Sequence, residues 1–425
     1  MPNPFVSRRR FLQALAAFGI ALVRSGESLG GGPPEEPRDG AGRPVILRRQ
    51  PHDLSGLDVD PRGLEGLCRL FQEMIDEGLH AGAQLAVFKN GRLIIELAGG
   101  AARPDGAPVT FETLFQIRSI TKALAAMVML GLRDQGAFDF DDPVSRHWPE
   151  FGRNGKAAIT ISHVLSHRAG IPDGPSVPPG LWNDRLAVAR ALEDMEPVWI
   201  PGSVNGYHAM SYGWVLDELV QRWTGRGISA GLGSALTAPL GIQDLFIGLP
   251  GYLYPRMAWM AVEKRVRKNQ AARARFSDYL NTAEGIGLPL ASGNGVGTAR
   301  SLAELMNVLA FQGTFKRRTW LSEDTFQRAA RPSNEPGVVD RRILWPVRWG
   351  LGFILGHTPH IYGRPVHLRS IGHAGGGANV AWADPEHRLA VAFLCNGMLG
   401  GFKDWDRYLR VGEQVYAAVR GQITS

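Results

Sequence analysis

A serine and a lysine three residues apart, in Ser119-Ile120-Thr121-Lys122, are the pair in this chain best suited to covalent chemistry. On a helix, side chains three apart share one face about a turn from each other, so the hydroxyl and the amine can meet. A serine hydroxyl is a weak nucleophile until a base activates it. Lysine can be that base where burial and neighbouring donors favour its neutral amine. A helix N-terminus would add positive potential and free N–H groups where an oxyanion forms. Four-residue patterns recur by chance, so the setting gives this one its weight. The stretch Lys122-Ala-Leu-Ala-Ala-Met-Val-Met-Leu-Gly-Leu132 is apolar all the way round, which predicts an interior helix, and a lysine at its mouth otherwise lacks an explanation.

Two further segments could contribute. Gly206-Tyr207-His208-Ala209 follows the Pro201-Gly202 turn and runs into a helical pattern carrying Tyr212, Leu216, Leu219, Val220 and Trp223. A phenol beside an ammonium has its ionisation favoured and could exchange a proton with Ser119. A packing tyrosine with a satisfied hydroxyl is the simpler reading of this segment taken alone. In Gly372-His373-Ala374-Gly375-Gly376-Gly377, followed by Ala378 to Trp382, glycines entering a strand permit close approach of a ligand to the backbone. A strand edge there could complete an oxyanion hole; a plain turn is the simpler reading. Neither this run nor Gly293-Asn-Gly-Val-Gly297 is followed by the helix and G-K-[ST] of a phosphate loop, and the latter reads as a turn. His163 and His167 are four apart, a zinc-compatible spacing, but no Glu follows His163. No metal and no cofactor are expected.

The elements that must hold these groups come from both chain ends. Leu64, Leu67, Cys68, Phe71, Met74 and Ile75 repeat at helical spacing. Gln84–Phe88 and Arg92–Ala98 flank Lys89-Asn90-Gly91, a hairpin signal. Arg388–Asn396 has the length and apolarity of a central strand. Trp405, Tyr408, Leu409, Gly412, Val415, Tyr416 and Val419 mark a closing helix. The expectation is an α/β (α+β) unit beginning near residue 55 and running to 425: an antiparallel sheet flanked by N- and C-terminal helices, with a helical insertion over about 125–290.

Composition is that of a globular chain: 425 residues, 44% hydrophobic and 20% charged, with room for a large core. The net charge of +7 is densest from Lys264 to Arg275. No aromatics interleave with those cations, so they read as a solvated face, and no nucleic-acid partner is expected. The two cysteines, Cys68 and Cys395, lie in apolar patterns and read as small buried hydrophobes.

Ser7-Arg8-Arg9-Arg10-Phe11-Leu12-Gln13 precedes an apolar run from Ala14 to Val23, about half the ~20 residues that span a bilayer. Residues 1–24 thus look like a twin-arginine export signal, with a retained basic tail or uncleaved anchor as the alternative. Membrane contact is expected only through this segment, and the scarcity of cysteine suits export of an already folded chain. Residues 25–54, rich in Gly, Pro, Glu and Arg, read as a linker.

Five segments in register resemble the serine β-lactamase and penicillin-binding-protein superfamily, its class C-like branch with the family VIII carboxylesterases in particular. They are Phe115–Lys122, Ile161–Gly170, Pro201-Gly202 with Gly206–Ala209, Trp349–Gly352 and Gly372–Gly375. The resemblance covers about residues 60–420 and implies a β-lactamase/transpeptidase-like fold. It implies Ser119 as nucleophile, Lys122 as base or its electrostatic helper, and Tyr207 as proton shuttle. The N–H groups of Ser119 and Gly376 would form the oxyanion hole, with His373 and Gly375 beside the substrate. Two departures bear on specificity. The family's Tyr-x-Asn is Tyr207-His208-Ala209 here, and its Lys-Thr-Gly is His373-Ala374-Gly375. A largely neutral histidine in place of a fixed cation forgoes about 1.5–3 kcal/mol of charged hydrogen bonding to a substrate carboxylate. The expected activity is therefore hydrolysis of a small-molecule ester or amide, carboxylic esters first. A β-lactamase, a D-Ala-D-Ala carboxypeptidase, an acyltransferase or a non-catalytic binding protein on the same fold are the alternatives.

Overall fold

The computed structural model describes residues 46–175, 177–358, 361–363 and 369–419. In chain order, the elements that build and position the site begin with β1 (Ile46–Arg49), α1 (Pro61–Asp76), β2 (Gly82–Lys89), β3 (Arg92–Gly100), β4 (Phe115–Arg118) and α2 (Thr121–Asp134). They continue with α3 (Ser211–Thr224), β5 (Leu245–Ile247), α4 (Ala271–Leu280), β6 (Gly295–Gly297) and α5 (Ala299–Ala310). The chain closes with β7 (Ile354–Leu355), β8 (Ile371–Gly375), β9 (Asn379–Asp384), β10 (Leu389–Cys395) and α6 (Phe402–Val419).

One seven-stranded antiparallel sheet, ordered β1-β3-β2-β10-β9-β8-β7, carries the architecture. Its centre joins the two chain ends: β10 pairs with β2 from Leu389↔Lys89 to Cys395↔Ala83. Every residue of β10 is buried, as a strand covered on both faces must be. Its side chains alternate between two cores. Leu389, Val391, Phe393 and Cys395 meet α1 and α6, while Ala390, Ala392 and Leu394 face the side of α2 and α5. The alanines on that second face let a helix lie close to the sheet. On the first face α1 and α6 pack against each other, and Asp60 ties them by donating its N–H to Ala418 O at 2.9 Å. Asp60 also accepts from Arg62 N, and Pro61 fills the first turn, so the start of α1 is fixed locally.

Residues 121–287 are mainly helical, and α2 runs through their interior with Thr121 to Leu130 all buried. The run 293–297 departs from the expected turn. Gly295–Gly297 form β6, the middle strand of a three-stranded antiparallel sheet β4-β6-β5. Glycine is needed for proximity here, since a Cβ on Gly295 would stand 2.7 Å from Ile117 and from Thr121 Oγ1. The folded unit also starts earlier than residue 55, because Ile46–Arg49 pair with β3 from Ile46↔Gly99 to Arg49↔Glu96. This edge strand is mostly exposed and ends in two arginines, so it carries no hydrophobic alternation. Cys395 is buried as expected, whereas Cys68 is only half-buried. The export-signal segment 1–24 lies outside the described residues, among which no helix is long and apolar enough to cross a membrane.

Candidate active site

Ser119 sits in the turn between β4 and α2, and the backbone there is set deliberately. The β4–β6 pairing shifts register between Gln116 and Arg118, and Arg118 takes the left-handed conformation at φ +54°. Thr121 Oγ1 locks the corner by donating to Arg118 O while accepting from Gly295 N at 2.7 Å. Ser119 thus precedes the helix proper, and Lys122 N donates back to Ser119 O at 3.0 Å. The hydroxyl is partly exposed, and Lys122 behind it is buried.

The phenol arrives from the loop before α3. Tyr207 donates its hydroxyl to Ser119 Oγ at 2.7 Å. Its loop is pinned by Asp340, a buried carboxylate that accepts from Tyr207 N at 3.1 Å and from Trp349 Nε1 at 3.0 Å. The Trp349 ring stacks on Tyr207, 5.9 Å between centroids and 14° from parallel. His167 packs against both rings, 4.9 Å from Tyr207 and 4.4 Å from Trp349.

Lys122 Nζ donates to Ala209 O at 2.9 Å and to Ser292 O at 2.7 Å, and stands 4.8 Å from the Tyr207 ring centre. An ammonium has three N–H donors and a neutral amine two. With two N–H groups held by carbonyls, the remaining position is a lone pair whenever the amine is neutral. Burial, with no carboxylate to offset it, lowers the Lys122 pKa to about 7. The phenol behaves differently from the expectation. Burial raises the Tyr207 pKa above its ordinary value, and the Ser119 hydrogen bond only partly opposes this, so Tyr207 stays a neutral donor.

The third segment lies alongside. β7 pairs with Ile371 and Gly372, and among the described residues the outer side of His373–Gly375 has no strand partner. A Cβ on Gly375 would collide with Ile117 O and come within 3.1 Å of Arg118 Cβ, so its glycine lets β8 reach the Ser119 corner. Gly376 follows in the turn. His373 is 2% exposed, and its Nδ1 pairs with Ala374 O at 2.7 Å. Burial, and secondarily Lys122, lower its pKa to about 3, so it is a neutral imidazole. His208 is buried likewise, Nδ1 on Gly206 O at 2.7 Å and Nε2 accepting from Ile171 N at 3.0 Å. It packs the loop and offers no amide.

His163 and His167 do not share a helix face. The helix there ends at Leu165, His163 Nδ1 accepts from Thr160 N at 3.3 Å as part of a capping box, and His167 has φ +59°. Sequence reading also missed Ser292 and Asp340. Ser292 follows an ordinary Pro-Leu-Ala stretch, and Asp340 lies among charged loop residues with no spacing that ties it to Tyr207.

Burial holds His80, His208 and His373 to about 3, far below the ordinary 6.5. The unfolded chain takes up protons at these sites below about 6.5, and the folded one does not until much lower pH. Their contribution to stability is therefore complete above pH 6.5 and declines as pH falls toward 3. The urea midpoint is expected to fall steadily between pH 7 and pH 4; a midpoint flat over that range would contradict burial of these rings in their neutral form.

A family model described as Beta-lactamase matches residues 67–414. The chain belongs to the Beta-lactamase family. Within that family it is similar to the esterase/beta-lactamase LipL of Mycobacterium tuberculosis (strain ATCC 25618 / H37Rv), 28% identical over 80% of this chain and 82% of LipL. Among solved structures, a penicillin-binding protein homolog from Caulobacter crescentus superposes with TM-score 0.75 at 30% identity, covering 85% of this chain and 98% of that one. A family VIII carboxylesterase superposes with TM-score 0.75 at 27% identity, with the same coverage of each chain. The β-lactamase/transpeptidase-like fold and membership in the superfamily's esterase branch stand on these matches and on the sheet and helices described above.

Proposed function

We propose that this Beta-lactamase-family chain is a serine hydrolase that cleaves carboxylic esters through an acyl-enzyme on Ser119. The observation that carries the reading is the Tyr207 hydroxyl 2.7 Å from Ser119 Oγ, beside a lysine whose pKa is lowered to about 7. Ser119 Oγ forms a bond to the ester carbonyl carbon, and the carbonyl electron pair moves onto oxygen, held by the N–H groups of Ser119 and Gly376. For this the Tyr207 hydroxyl turns its own proton from Ser119 Oγ to the Lys122 lone pair and takes the serine proton in its place, leaving an ammonium on Lys122. The carbon–oxygen bond to the alcohol then breaks, and that oxygen takes the Tyr207 proton, which the Lys122 ammonium replaces. Water repeats the sequence, Ser119 leaving as the alcohol and the acid being released.

Esters are favoured over β-lactams by two features of the pocket. At the position where the family has a fixed cation, His373 is a neutral, buried ring. Where a side-chain amide would stand, Ala209 offers only backbone, and its carbonyl is taken by Lys122. The names of LipL, an esterase/beta-lactamase, and of the carboxylesterase neighbour support the ester reading. The export role of residues 1–24 rests on their sequence alone, and we place the mature enzyme outside the cytoplasm on that ground.

Mixing the protein with a panel of aryl esters and penicillins and measuring intact mass tests the intermediate. The expected result is an acyl increment from esters, located on the Ser119 peptide. Ester turnover with no increment under rapid quench would overturn the covalent route, and stable penicillin adducts with poor ester turnover would move the assignment to a penicillin-recognising enzyme.

A further inference from the structure

We propose that Arg118 and Arg273 form an anion subsite beside Gly376, which selects esters carrying a carboxylate on their acyl or alcohol part. This rests on the ester-hydrolase reading above and adds a substrate class to it.

The basic run 264–275 does not lie wholly in solvent. Arg273, on α4, turns inward and is half-buried, and a Cβ on Gly376 would stand 2.7 Å from its Nη2. The guanidinium therefore occupies the space that the glycine leaves open. Arg118, the residue before Ser119, is 5% exposed, with its Cβ against Gly375 and its guanidinium over the Phe276 ring at 5.6 Å. Its Nη2 donates to Ser277 Oγ, which in turn donates to Arg273 O at 2.9 Å, one turn back on α4. Arg273 thus borders Gly376 through its guanidinium and Arg118 borders Gly375 through its Cβ, with Ser277 linking the Arg118 guanidinium to the Arg273 backbone.

Neither has a counter-ion among the described residues. Among the described residues, Arg273 Nη1 meets only the neutral Gln270 Oε1 at 3.2 Å, no carboxylate pairs with either arginine, and Arg118 Nη1 is buried with no partner at all. Arg267, six residues before Arg273, shows what neutralisation looks like: two short contacts to Asp278, at 2.7 and 2.8 Å. Burying a charge without a partner is costly, and two like charges side by side add to that cost. Burial and the neighbouring Arg273 lower the Arg118 pKa to about 9. A carboxylate placed between the guanidinium groups would remove both penalties, and arginine's planar fork suits it.

Two ester pairs read the subsite, each differing by one carboxylate. One compares an aryl hemiglutarate with the aryl pentanoate. The other compares 3-carboxyphenyl with phenyl butyrate, so the two arms separate an acyl-side from an alcohol-side carboxylate. The ratio of kcat/KM, charged over neutral, is expected to fall about 10-fold to 100-fold in Arg273→Gln for one pair, the range of a lost charged hydrogen bond. Arg273→Lys should restore part of it, and added salt should lower the wild-type ratio. Ratios unchanged in Arg273→Gln for both pairs would overturn the proposal. If no ester is hydrolysed at all, the ester reading fails, and calorimetry with glutarate decides the subsite separately: binding weakened in Arg273→Gln supports it, and equal or absent binding overturns it.

Discussion

Ser119→Ala is expected to lower kcat/KM for a short-chain aryl ester by about 10,000-fold or more, the scale on which loss of a serine nucleophile is felt. No neighbouring group can take over. Thr121 is committed to Arg118 O and Gly295 N, and Tyr207 is a neutral phenol held above its ordinary pKa. The variant should fold normally, because the hydroxyl makes one side-chain hydrogen bond, to Tyr207, worth about 1 kcal/mol. Steady-state kinetics with a matched thermal melt checks both halves. Turnover persisting in a folded Ser119→Ala protein would remove the acyl-enzyme from this chain.

The second large effect concerns Lys122 and has a sign that can be worked out. The lysine acts when neutral, and its pKa is lowered to about 7 by burial. kcat/KM should therefore rise with pH through an apparent pKa near 7 and fall off below it as the ammonium forms. Lys122→Met removes the acceptor and should cost about 100-fold to 10,000-fold, the usual range for a general base. Lys122→Arg should not rescue, since a guanidinium stays protonated at any working pH. A wild-type profile with no acid limb between pH 5 and pH 8, or near-normal rates in Lys122→Met, would leave Tyr207 or solvent as the base.

What the sequence disclosed follows from how each element is stabilised. β2, β3 and β10 were legible because strands in a buried sheet must be apolar, and Asn90-Gly91 announces the turn between two of them. α2 was legible because a helix buried on all sides cannot hide. Gly295–Gly297 was not, since glycines that admit a close neighbour look the same in sequence as glycines that make a turn. The Ile46–Arg49 edge strand escaped for the opposite reason: its backbone pairs but its side chains face water. In the site, Ser119 and Lys122 could be paired because they are local. The Tyr207 contact could be proposed, but its protonation could not, because that depends on how much protein encloses the ring. Arg273 reads as part of a solvated run, since a string of basic residues does not say which one its helix turns inward. Asp340 could not have been found at all without the fold, as its tie to Tyr207 spans 133 positions.

The central ladder of the sheet has a consequence for how the molecule comes into being. Leu389 lies beside Lys89, so the strands that close the core are separated by roughly 300 residues of intervening chain. A ribosome must release almost the whole polypeptide before the N-terminal hairpin meets its partner strand. Until then β2, every residue of which is buried in the folded protein, offers an unpaired and largely apolar edge that a nascent-chain chaperone would have to shield.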